Sequence, residues 1–134
     1  MDYFYHQQSE MFAFYRIPRL LMTHERFKDM SCDVKLLYGV LLARMELSQK
    51  NNWLDKNGRV FVYYSIENIM EALGCAHGKA GRLLKELVDC GLLEKKRQGL
   101  GLPDRLYLKN IFTPEAHLIQ KADFRLSGSP KSGC

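Results

Sequence analysis

The sequence predicts an α+β domain, in which one longer helix is followed by two shorter helices and a β-hairpin. Three observations carry that reading. Apolar residues recur at helical spacing over positions 34–45, again over 66–73, and again over 80–88. A short turn holding Gly74 joins the second stretch to the third, and Gly91 closes the third. Two strand-like runs around a Gly/Pro-rich tip come next. Helix, glycine-bearing turn, helix and hairpin in that order make a winged helix-turn-helix, with an N-terminal arm or strand in front and the C-terminal hairpin as the wing.

Each element has its own local justification. Residues 1–11 are polar and aromatic without a period and read as a flexible or dimerising arm. Residues 12–17 (FAFYRI) favour extended backbone and stop at Pro18, which predicts a short edge strand. Positions 19–28 predict a short helix with Leu20, Leu21, His24 and Phe27 on one side. Ser31 is placed to cap the long helix, and Asp33 suits its positive end. Val34, Leu37, Tyr38, Leu41, Leu42 and Met45 form its apolar face, and the pattern fades in the polar stretch 48–52.

Asp55-Lys56-Asn57-Gly58 predicts a turn before the strand-like run 59–64. A calcium loop is excluded, because Trp53 and Tyr64 stand where an EF-hand requires acids. Ser65 caps a helix over 66–73 that ends at Gly74, and the third helix runs from about Gly78 to Cys90. Positions 92–98 and 105–109 are the arms of the hairpin. One domain therefore spans 12–112, followed by a helix fragment and Ser/Gly/Pro-rich linker tail over 113–134.

Composition narrows the function classes. A chain of 134 residues with 46% hydrophobic content fills one core and no more. The longest apolar run, 36–43, is far short of the roughly 20 residues a spanning helix needs, and the first residues lack a signal-peptide core. The expectation is a cytoplasmic protein without a membrane partner. Cys32, Cys75, Cys90 and Cys134 form no C-x-x-C pair, and the histidines do not fall at zinc spacing, so neither metal nor cofactor is expected. Gly99-Leu100-Gly101 lacks the rest of a dinucleotide loop, and no nucleophile motif occurs, so the chain reads as no enzyme.

Charge is concentrated. Between Lys79 and Lys109, eight Lys/Arg stand against four Asp/Glu, so this stretch carries four of the five net positive charges. Segregation of that kind points to an anionic partner, here double-stranded DNA. On the third helix, 100° per residue sets Gly78, Arg82 and Lys85 opposite the apolar stripe with Lys79 on the flank and His77 at the start. In a helix-turn-helix this end enters the major groove, where Arg82 offers a fork that fits guanine. Gly78 is expected to admit close approach of DNA, and Gly81 to pack tightly against the preceding helix. The wing supplies Lys95, Lys96, Arg97, Arg105 and Lys109 for phosphates or a minor groove. Solvated helix charges and protected hairpin edges are the plain alternative. Tyr3, Phe4, Tyr5, Phe12, Phe14 and Tyr15 exceed what one edge strand buries internally, and so predict a dimer contact.

Several runs, taken in order, also resemble the N-terminal domain of the RepA_N family of plasmid replication initiators. They are Phe14-Tyr15-Arg16-Ile17-Pro18, Asp33-Val34-Lys35-Leu36-Leu37-Tyr38-Gly39, Asn57-Gly58-Arg59-Val60-Phe61 and Gly74-Cys75. Leu83-Leu84-Lys85-Glu86-Leu87, Gly91-Leu92-Leu93 and Lys96-Arg97-Gln98-Gly99-Leu100-Gly101 complete the set, while Ala76-His77-Gly78 departs from it. The resemblance implies a winged-helix domain that binds repeated sites at a plasmid origin as a homodimer. It also implies that host replication proteins are engaged through a separate C-terminal domain outside these residues. A transcriptional regulator on the same fold is the nearest rival, and a winged-helix protein-docking module is a rival of another class.

Overall fold

The computed structural model describes residues 1–5 and 12–111. The expectations for 6–11 and for the tail 113–134 lie outside the described residues. Four helices and one two-stranded antiparallel sheet follow in order: α1 (Leu20–Thr23), α2 (Cys32–Lys50), α3 (Ile66–Leu73), α4 (His77–Asp89), β1 (Leu93–Lys96) and β2 (Arg105–Leu108).

The long helix α2 is the hub of the domain. Ser31 caps it by accepting from the Val34 amide, as its position predicts. Val34, Leu37 and Leu41 are fully enclosed, and α2 packs against α3, α4 and β2 together. Burial extends beyond the predicted stripe: Lys35 is inside, its Nζ donating to the Lys28 carbonyl at 2.9 Å. A buried ammonium needs such an acceptor, because desolvation without one is costly. The predicted fading at 48–52 is corrected. The helix runs on to Lys50 with Ser48 among its most buried residues, and the Trp53 amide returns to the Ser48 carbonyl at 2.9 Å.

Residues 12–17 form no strand. A strand needs a partner for its amides, and none among the described residues runs beside this segment. It crosses α2 instead at Gly39, where an added Cβ would meet Ile17 Cγ1 at 2.9 Å and the Arg16 carbonyl at 3.1 Å. The predicted helix over 19–28 shortens to α1, and turns follow it. Run 59–64 forms no named strand; among the described residues it makes isolated bridges, Leu54 to Val60 and Val62 to Leu106.

Helices α3 and α4 end where the sequence foretold. Ser65 and Asn68 form a reciprocal capping box at the start of α3, and Gly74 closes it in the left-handed conformation. At the end of α4, Gly91 is left-handed; its amide donates to Val88 and the Leu92 amide to Leu87. That is a Schellman motif, and it also buries Leu92 with Leu87.

The hairpin has two unlike faces. Its register pairs Leu93 with Leu108, Glu94 with Tyr107, Lys95 with Leu106 and Lys96 with Arg105. Side chains alternate along a strand, so Leu93, Lys95, Leu106 and Leu108 share the helix side, and Glu94, Lys96, Arg105 and Tyr107 the outer side. The turn at 55–59 covers part of that outer side. Asp55 accepts from the Asn57 and Arg59 amides, from Arg59 Nε at 3.0 Å and from the Tyr107 hydroxyl at 3.1 Å. Desolvation opposes its charge, but the Arg59 and Asn57 amides, the Arg59 side chain and the Tyr107 hydroxyl outweigh it and hold the carboxyl at about 2. At the hairpin base the Tyr38 hydroxyl donates to the Lys109 carbonyl at 2.8 Å, and burial pushes its pKa up to about 12.

Candidate nucleic-acid interface

The amphipathic helix α4 decides which side of the domain is the site. Ala80, Leu83, Leu84 and Leu87 are buried, which leaves His77, Gly78, Lys79, Arg82 and Lys85 exposed, as expected. Nothing lies within 4 Å of a Cβ built at Gly78. The same holds for Gly81, which corrects the expectation that it packs against the preceding helix; the close-packed glycine is Gly39. An alanine at an unobstructed interior helix position is worth up to about 1 kcal/mol over glycine. Gly81→Ala should therefore raise the melting temperature of the free domain by several degrees, and a thermal melt showing a fall would mean the position is not open.

The cations on this side are mostly engaged. Lys79 Nζ lies 2.9 Å from Asp33 Oδ2, which ties α4 to the start of α2. Arg82 Nε is 3.9 Å from Glu86 Oε1, and Lys95 Nζ is 3.8 Å from Asp104 Oδ2. Exposed pairs of this kind are weak and exchangeable, worth about 0–1 kcal/mol. Among the described residues, no carboxylate lies within 4.0 Å of the cationic groups of Lys85 or Arg97.

The five hairpin cations do not lie on one surface. Lys95 faces the helices, in a cleft of about 320 Å³ lined also by Ser65, Asn68, Leu84 and Asp104. Lys96 lies on the outer side with Lys56, Arg59 and Arg105 around a second cleft of about 300 Å³. Lys109 sits at the base and holds Glu94 at 3.0 Å, an ion pair whose hydrogen bond and charge lower the pKa of the Glu94 carboxyl. Arg105 packs on the aromatic cluster of the outer side, its guanidinium 4.3 Å from the Phe61 ring centre. Hydrogen bonding to the Tyr107 and Tyr63 hydroxyls raises its pKa, against a desolvation that lowers it.

Sequence reasoning also missed residues that the fold brings to the site. Ser65 and Asn68 stand beside Lys95 at the start of α3, and the S-x-x-N spacing signals a capping box. Lys56 and Arg59 reach the outer face through the turn, and nothing local signals that. The predicted dimer residues Tyr3, Phe4, Tyr5, Phe12, Phe14 and Tyr15 are all exposed. Phe4 meets Phe12 edge-on at 6.0 Å, and Phe12 meets Phe14 at 6.4 Å. Among the described residues there is no cluster of three metal-ligating side chains and no helix long and apolar enough to cross a membrane.

These features define an α+β domain that displays a cationic helix beside a cationic hairpin. Residues 13–121 match the family described as Replication initiator protein A (RepA) N-terminus, RepA_N, and the chain belongs to that family. It is 31% identical over 130 residues to a protein of Lactobacillus helveticus described as "41 kDa protein". That match covers 90% of the chain but spans only 37% of the relative. Among solved structures, it is similar to an "N-Terminal domain of DNA binding protein" (35% identity, TM-score 0.76, covering 97% of this chain and 99% of that one). It is also similar to a "Structure of Rep-DNA complex" (35%, 0.75, 97% and 100%) and a "Structure of MDR initiator" (32%, 0.68, 91% and 98%).

Proposed function

We propose that this domain is a winged helix-turn-helix that binds repeated double-stranded DNA sites at a replication origin, and that it does so without enzymatic activity. The observation that carries this is the open outer face of α4, where Gly78, Gly81, Arg82 and Lys85 leave the helix unobstructed and positive. In a family of replication initiators, with a likeness to a Rep protein solved as a DNA complex, the fitting anion is duplex DNA in the major groove. The β1–β2 hairpin is the wing. Lys95 and Arg97 follow the phosphates on the helix side, and the exposed aromatics of the arm meet a second copy, which sets two α4 helices on successive half-sites. On this reading the protein works in the cytoplasm, where plasmid DNA is, and reaches host proteins through another part of the initiator.

A salt titration tests it. Each phosphate neutralised contributes about −0.9 to the log–log slope of affinity on salt. Lys85 and Arg97 alone give about −2; with Lys79, Arg82 and Lys95 the slope reaches about −4 to −5. A slope indistinguishable from zero, or no retention on duplex at low salt, rules the reading out. Light scattering on the same samples should show a dimer.

A further inference from the structure

The hairpin ends in a tip that is apolar and exposed, with no charged or hydrogen-bonding side chain from Gly99 to Leu102. Leu100 is fully exposed and Leu102 more than half exposed, two residues apart across Gly101. Gly99 (φ 126°) and Gly101 (φ 80°) take backbone that L side chains rarely adopt, so the turn presenting the leucines depends on glycine. Its root is clasped. Gln98 Nε2 donates to the Pro103 carbonyl at 2.8 Å and to the Tyr63 hydroxyl at 3.2 Å, and the Leu102 amide returns to Gly99 at 3.3 Å. Lys95 and Asp104 pair across the hairpin just behind. Exposed Lys96 and Arg97 stand before the tip and half-buried Arg105 after it.

We infer that Leu100 and Leu102 form an apolar wedge that enters the minor groove and unstacks one base step of the bound duplex. The inference rests on the DNA-binding reading and names what the tip does within it. The groove is only about 6 Å wide, too narrow for a two-stranded ribbon but open to side chains from its end. Cations behind an uncharged tip match the arrangement of the duplex, whose phosphates line the lips of the groove while the floor offers base edges and stacked faces. Apolar wedges of this type part a base step and kink the duplex by roughly 20–90°. Pyrimidine–purine steps, TA above all, unstack most easily and are the expected targets. Because the clasp holds the turn before contact, little ordering is left to be done on binding.

The experiment uses the complete chain and 30-bp duplexes carrying the repeats of its own replicon, with 2-aminopurine placed in turn at each TA step. Binding of the wild type should brighten one position severalfold and bend the duplex, read by energy transfer between end labels. Leu100→Ala/Leu102→Ala should abolish both signals and weaken binding on the order of tenfold at fixed salt. The salt slope should stay unchanged, because no phosphate contact is lost. Leu100→Met, which keeps an apolar side chain of similar size, should retain the brightening. An unchanged signal in the double variant, with duplex binding intact, overturns the wedge while leaving the DNA-binding reading in place. Loss of dimerisation in the double variant assigns the leucines to a second copy and overturns it likewise. No duplex binding by the wild type removes both. Because both side chains lie in solvent, the melting temperature of each variant should match the wild type.

Discussion

Arg82→Ala should cost about 1–3 kcal/mol of affinity for an origin repeat and much less for random duplex, so that discrimination falls by roughly ten- to a hundredfold. Arg82 is exposed on the open outer side of α4, and its contact with Glu86 at 3.9 Å is too loose to hold it back. Lys95→Ala should weaken both duplexes about equally and reduce the salt slope by about one unit. Lys96→Ala should do less, because the hairpin register sets Lys96 on the side away from the helices. Titration of the three variants against repeat and scrambled duplex at two salt concentrations measures all of this. Equal loss on both DNAs for Arg82→Ala, with specificity erased by a hairpin variant, reverses the assignment of base reading to the helix.

Phe61→Ala should destabilise the free domain by about 3–5 kcal/mol, a fall in melting temperature on the order of 10–20 °C. Phe61 is buried where the turn at 55–59 and the outer face of the hairpin meet. Its ring centre lies 5.4 Å from that of Tyr63, 6.2 Å from Tyr107 and 6.4 Å from Trp53, with the Arg105 guanidinium 4.3 Å above. Arg105→Lys keeps the charge but loses the planar group that stacks, and should cost about 0.5–2 kcal/mol. If Arg105 served phosphate instead, the lysine variant would melt as the wild type does and bind DNA nearly as well.

The helices were legible in the chain because helical periodicity, the Ser31 and Ser65 caps and the Gly74 and Gly91 stops are local signals. Residues 12–17 misled because extended propensity is realised only beside a partner strand, and the notch that receives this segment is Gly39, over twenty positions away. Gly81 misled because space around a helix cannot be read from the helix itself. The division of the hairpin cations was within reach: Lys95 and Lys96 are neighbours on a predicted strand, and strand neighbours point to opposite faces. What no pattern supplies is the docking of Arg105 on Phe61, since the two are forty-four positions apart and meet only once Val62 bridges Leu106.

Asp33, Glu86 and Asp104 each sit against a cation of the helix side, so the protein brings its own rivals to the phosphate backbone. On the DNA-binding reading, phosphates displace these acids from Lys79, Arg82 and Lys95, and because each exposed pair is worth only about 0–1 kcal/mol, the exchange costs little on any duplex. The acids thus temper the hold on all DNA alike and leave discrimination to the base contact of Arg82, so the salt slope should be about the same on the repeat and on random duplex.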